Sequence, residues 1–115
     1  MARTPEEVFG HHVQALGAGD LDEIVADYAE DSVFISPSGV LRGKDGIRTA
    51  FTKLLSDVPN ADWTLKTTIF EGDVLFLEWA ADAGATFADD GIDTFVFSSG
   101  LIQVQTVRYT LQHRS

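Results

Sequence analysis

The chain predicts an α+β domain, with three helices first and a run of long strands after them. Two observations carry this. Apolar residues recur at helical spacing as far as Val58, where Pro59 ends the pattern. From Trp63 onward they alternate, or run continuously between short turns. A curved antiparallel sheet would then wrap the long third helix. The 115 residues make a single domain, 1–115, large enough to bury a core.

The first helix starts at Thr4-Pro5-Glu6-Glu7. Thr4 can cap, Pro5 suits the first helical position, and Glu7 completes a capping box. Val8, His12, Ala15 and Leu16 share one face, with Phe9 and Val13 beside them, until Gly17 and Gly19. Asp20 with Glu23 repeats the box for a shorter helix carrying Ile24, Val25 and Tyr28. Val33-Phe34-Ile35 reads as a short strand, Pro37-Ser38-Gly39 as a turn, and Val40-Leu41 as a brief extended piece. From about Lys44, the residues Ile47, Ala50, Phe51, Leu54, Leu55 and Val58 form the stripe of the third helix. Trp63, Leu65, Thr67 and Ile69 alternate into the turn Glu71-Gly72-Asp73. Val74 to Ala81 is almost continuously apolar, as a strand buried on both faces would be. Thr94 to Phe97, the turn Ser98-Ser99-Gly100, and Leu101 to Leu111 form another hairpin. Asp82 to Asp90 gives no clear signal.

Apolar residues are 44 % and charged residues 23 %, ordinary for a globular protein. The net charge of −10 opposes nucleic acid and anionic membranes, which need clustered Lys and Arg. Its acids are scattered, as on solvated helix faces. With no cysteine, disulfides and thiolate metal sites are excluded. The first ten residues lack the apolar core of a signal peptide. No apolar run approaches the roughly 18 residues of a membrane span, so a cytoplasmic location is expected.

Two residues stand out chemically. His12 lies on the apolar stripe of the first helix, and Asp93 lies in an apolar late strand. An ionisable group on a core-facing position needs a partner or a pocket. Asp93 should be desolvated by Ile92, Phe95 and Phe97, and His12 could act as acid or base with Asp93 holding its tautomer. The plainer readings are a histidine bonded to backbone or Tyr28, and an aspartate solvated beside Asp89-Asp90-Gly91. His11 points about 100° away from His12 and belongs at the rim or surface. His113 belongs to the tail. Asp89, Asp90 and Asp93 lack the spacing of a calcium loop, and no metal-ligand cluster, cofactor motif or Ser-His-Asp arrangement is visible.

Three segments resemble the nuclear transport factor 2-like superfamily, in its SnoaL-like and ketosteroid-isomerase-like branch. They are Gly19 to Val33 with its Gly-Asp and Tyr-Ala-Glu-Asp pattern, Leu41 to Ile47 with its Gly-x-x-x-Ile, and Asp93 to Phe97 with the turn leading to Ile102-Gln103. The resemblance covers nearly the whole chain. It implies a cone of three helices against a strongly curved, antiparallel sheet with a mixed edge. A pocket would lie at the open end, and dimers would form through the outer sheet face. Ketosteroid isomerases place a carboxylate base just before a proline, where this chain has Ser36, so isomerisation by that route is not expected. Their two oxyanion donors correspond to His12 and Asp93, the second of which those enzymes keep protonated in an apolar site. A supporting tyrosine corresponds to Tyr28, and another is replaced by Phe51. The pocket would also take Leu75, Leu77 and Trp79 from one strand, Phe95 from the next, and Gln105 and Tyr109 from the last. Arg108 would face outward.

Because this fold hosts many activities, three readings follow. One is a cofactor-free isomerase, dehydratase or cyclase that uses His12 and Asp93 on an apolar, oxygenated substrate. Another is a module that holds a small apolar or aromatic ligand without turnover. The last is a dimeric interaction domain with a collapsed pocket. A homodimer is expected in each.

Overall fold

In a computed structural model describing residues 2–115, the elements follow the expected order. Helix α1 spans Pro5–Ala18, α2 Leu21–Ala26 and α3 Gly43–Asp57. Strands β1 (Tyr28–Ser36) and β2 (Gly39–Arg42) separate the second and third helices. The remainder is β3 (Asp62–Glu71), β4 (Val74–Asp82), β5 (Thr86–Ser98), β6 (Leu101–Arg108) and a short β7 (Gln112–His113). The sheet runs β2-β1-β6-β5-β4-β3, with β7 on β5, and does not close. Its pairs are antiparallel except β1 with β6, so the mixed character lies inside the sheet.

Local chemistry explains the helix ends. Thr4 Oγ1 accepts from the Glu7 N–H at 3.1 Å, and the Glu7 carboxylate accepts from the Thr4 N–H at 2.8 Å. Gly19, at φ 64°, closes α1 in the left-handed conformation. That turn gives the Asp20 N–H to the Ala15 carbonyl at 3.0 Å. The second box is therefore only half made. Asp20 accepts from the Glu23 N–H at 3.2 Å, while Glu23 turns to His11 Nε2 at 3.3 Å.

Several expectations need correction. Tyr28 does not sit on α2. The helix ends at Ala26, and Tyr28 opens a nine-residue β1, much longer than Val33 to Ile35. Strand β4 is buried on one face only, because no layer covers its other face: Leu75, Leu77, Trp79 and Ala81 point in, while Val74 and Phe76 are exposed. The alternation in β3 breaks at a bulge between Leu65 and Thr67. An extra residue flips the pleat, so Trp63 and Phe70 pack on the core and Ile69 is 58 % exposed. The unclear stretch is strand: β5 begins at Thr86 and a second bulge absorbs Asp89 and Asp90. The last long strand stops at Arg108, and Gln112-His113 pair with Thr86-Phe87.

Helix α3 buries Ile47 and Phe51 against the concave face, with Leu54 and Leu55 partly buried beside them. Helix α1 adds Val8, Phe9, His12 and Ala15. Among the described residues no helix is long and apolar enough to cross a membrane.

Candidate functional site

A cavity of about 530 Å³ opens between α3, the β1–β2 turn and the segment after β6. All of the predicted site residues except Tyr28 and Leu75 line it, so the pocket has not collapsed. Leu75 is fully buried opposite Phe95, at the end of the sheet that Phe9, Phe70 and Phe97 fill. Tyr28 stands behind the wall, where its hydroxyl meets Gln105 and its ring packs against His12 and Phe51.

Asp93 is the polar centre. Odd positions of β5 face inward beyond the bulge, which puts Asp93 between Gly91 and Phe95 at 5 % exposure. Trp79 Nε1 donates to Oδ1 at 2.7 Å, and Gln105 Nε2 donates to Oδ2 at 2.7 Å. The Tyr28 hydroxyl donates to Gln105 Oε1, which fixes the amide with its NH₂ toward Asp93. Burial raises the Asp93 pKa to about 7, against the pull of these two donors. The carboxyl thus exchanges its proton near neutrality. Its two partners donate only, so a proton on Asp93 has no acceptor in either of them. That acceptor is left to whatever occupies the cavity.

His12, 3 % exposed, is caged by aromatic rings. Phe51, Phe95, Tyr28 and Phe9 lie with ring centroids 5.5, 5.6, 5.9 and 6.3 Å from it. Burial lowers its pKa to about 4, with Asp27 opposing, so the imidazole is neutral at physiological pH. Among the described residues Nδ1 has no hydrogen-bond partner. His12 and Asp93 share the cavity, but no hydrogen bond joins them, so Asp93 does not hold the His12 tautomer. Neither plainer reading of these residues applies: His12 bonds neither backbone nor Tyr28, and Asp93 is in the strand.

Trp63 and Trp79 lie 5.6 Å apart, and Trp79 and Tyr109 5.4 Å apart, as an aromatic wall. At the mouth, Asp57 accepts from the Tyr109 hydroxyl at 2.8 Å and from Lys53 Nζ at 2.7 Å. Burial and this bond to Asp57 both keep Tyr109 protonated. Ser36 Oγ lines the mouth and accepts from the Ser38 N–H at 3.2 Å. The sequence reading did not place Trp63, Leu65 or Asp57 at the site; Leu65 borders the β3 bulge and Asp57 ends α3. It also missed Asp27, 1 % exposed, which binds Arg3 Nη1 at 3.0 Å and His11 Nδ1 at 2.7 Å. His11 is therefore tied to a buried carboxylate, although its own side chain is 36 % exposed. Among the described residues no three His, Cys, Asp or Glu side chains form a metal-binding group.

Solved structures share this architecture. An NTF-2-like protein of unknown function from Burkholderia xenovorans LB400 superposes with TM-score 0.76 at 22 % identity, covering 96 % of this chain and 86 % of that one. A SnoaL-like protein of unknown function from Burkholderia thailandensis gives TM-score 0.73 at 21 % identity, over 92 % and 93 % of the two chains. IdmH from Streptomyces antibioticus, a proposed polyketide cyclase, gives 0.75 at 15 % identity, over 93 % and 92 %. At these identities the likeness speaks for the fold alone. No curated protein sequence matches the chain significantly. The family model of the SnoaL-like domain matches residues 9–105. The chain belongs to the SnoaL-like domain family.

Proposed function

We propose that this protein binds an apolar, oxygenated small molecule and moves protons on it without a cofactor, as an isomerase, dehydratase or cyclase. Asp93 takes and returns the proton. Neutral His12 hydrogen-bonds the ligand oxygen from the helical side, as a neutral imidazole does elsewhere in enol chemistry. The observation that carries this reading is Asp93 itself: a buried carboxyl held by neutral donors only, with a pKa of about 7, in an aromatic cavity. The aromatic wall favours a ring ketone over a flexible chain. A second reading, ligand binding without turnover, draws support from Ser36, which puts no base at the position where ketosteroid isomerases carry one.

Methyl naphthyl ketone, an acceptor-only probe, tests the site through quenching of tryptophan fluorescence. Saturable quenching at one ketone per chain is expected. Affinity should fall severalfold above the Asp93 pKa, because covering an ionised carboxyl costs more than covering a protonated one, although the ketone still binds the carboxylate form through His12. The Asp93→Asn variant should bind without this pH dependence. Absence of saturation, or the same pH profile in the variant, would remove Asp93 from the ligand site.

The same reading includes a homodimer and a cytoplasmic location. Ile69, Phe76, Thr94, Thr106 and Ile35 form a register-matched row across the convex sheet face, and the three large apolar members are exposed. Sedimentation equilibrium at micromolar concentration should return twice the chain mass. A monomer there would leave this face without its partner.

A further inference from the structure

Gly91 lies directly across from Trp79 in the β4–β5 ladder, two residues before Asp93. A Cβ built on Gly91 would stand 2.2 Å from two carbons of the Trp79 indole and 2.7 Å from a third. No side chain tolerates that approach, so the indole lies flat over the bare backbone of position 91. Trp63 and Tyr109 close around it, at 5.6 and 5.4 Å between ring centroids. In this pose Trp79 Nε1 reaches Asp93 Oδ1 at 2.7 Å. Gly91 needs no positive φ, so conformational freedom does not account for glycine here. The space does.

We infer that Gly91 is a positioning residue for Asp93: the missing side chain seats the Trp79 indole, which in turn orients the carboxyl and stabilises its ionised form. The inference concerns the group on which the proposed function rests, yet its test needs neither ligand nor turnover. Any side chain at 91 pushes the indole off, and Asp93 loses one of its two donors. The proton affinity of Asp93 then rises, because a hydrogen bond to the carboxylate favours the charged form. The groups facing Asp93 leave this change readable. Tyr28 and Tyr109 are held protonated well above neutrality, and His12 is neutral above about pH 4. Lys53 and Asp57 pair with each other at the mouth.

The test is a pH titration of the Asp93 carboxyl carbon by NMR, in protein labelled at aspartate and assigned with Asp93→Asn. The wild type should titrate near 7. Gly91→Ala and Trp79→Phe should each raise the proton affinity about tenfold, as expected for loss of a hydrogen bond to a charged group. Together they should do no more than either alone, because both remove the same bond. Additive shifts, or a Gly91→Ala protein that titrates as the wild type, would overturn the inference. If Gly91→Ala does not fold, Trp79→Ala combined with it decides. Restored folding supports the inference, since the new Cβ then has no indole to meet, and continued failure overturns it.

Discussion

Adjacent histidines of α1 look into two opposite aspartate neighbourhoods. His11 bonds Asp27, which Arg3 also holds, and Arg3 Nη2 donates onward to the Gly100 carbonyl at 3.0 Å. With the Ile102 N–H on the Asp27 carbonyl at 2.8 Å, this cluster ties the N-terminal segment, α1, the α2–β1 junction and the β5–β6 turn together. His12 and Asp93 are equally buried but are not bonded to each other, and neutral donors alone hold Asp93. Burial of an aspartate therefore does not identify a chemical site. The partners do. A carboxylate answered by an arginine is committed to structure, whereas one answered by an indole and an amide keeps a proton to exchange near neutrality.

Breaking the first neighbourhood should cost most. Asp27→Ala strips Arg3 and His11 of their common partner and should destabilise the fold by about 3 kcal/mol, moderated because both reach solvent. Urea denaturation reads this directly, and ketone binding by the folded fraction should stay unchanged. A loss below about 1 kcal/mol would match a surface pair and deny the cluster its structural role. Leu54→Ala acts on the other neighbourhood. Leu54 is partly buried on the cavity wall, so about 2 kcal/mol is expected, the low end for a buried leucine, together with weaker ketone binding. Unchanged thermal unfolding would mean that this turn of α3 does not pack on the core.

The sharpest contrast is in pH. Asp93 goes from 3.8 to about 7 on folding, so between these values the folded state holds a proton that the unfolded chain has released. Stability then falls as pH rises. His12 goes from 6.5 to about 4, so across that window the unfolded chain holds the proton and stability rises with pH. The two slopes, each at most about 1.4 kcal/mol per pH unit, cancel where the windows overlap. Wild-type stability should thus be nearly flat from about pH 4 to 6.5. Asp93→Asn should unmask a rise, and His12→Gln a fall. Asp82 and Asp90, both held below the ordinary carboxylate value, act at lower pH and alike in all three proteins. Parallel profiles for the three would refute these assignments.

Much of this was legible in the sequence where periodicity is strict. The Thr4 box and the α3 stripe are local patterns, and each places side chains without knowledge of the rest, whereas the nearly continuous apolar run of β4 concealed that only one of its faces is covered. His12 and Asp93 were legible because a polar group in an apolar pattern is visible by itself. The partners of Asp93 were less so. Trp79 and Gln105 are distant in sequence, and only the β4–β5–β6 register brings them to one carboxyl. Bulges hid the outward facing of Ile69 and the start of β5, since one extra residue reverses a strand's faces. Asp27 was hidden among many acids, all of the kind that usually face solvent.

Proton exchange on a bound ketone tests the central claim most directly. With β-tetralone in D₂O at neutral pD, Asp93 as carboxylate should take an α-proton to give the enolate, with His12 donating to its oxygen. Asp93 then exchanges its proton with solvent and returns a deuteron to carbon. NMR should record loss of the α-proton signal many-fold faster than in buffer, and Asp93→Asn should abolish the acceleration while the ketone still binds. Saturable binding with exchange no faster than in buffer would contradict catalysis and leave a binding pocket.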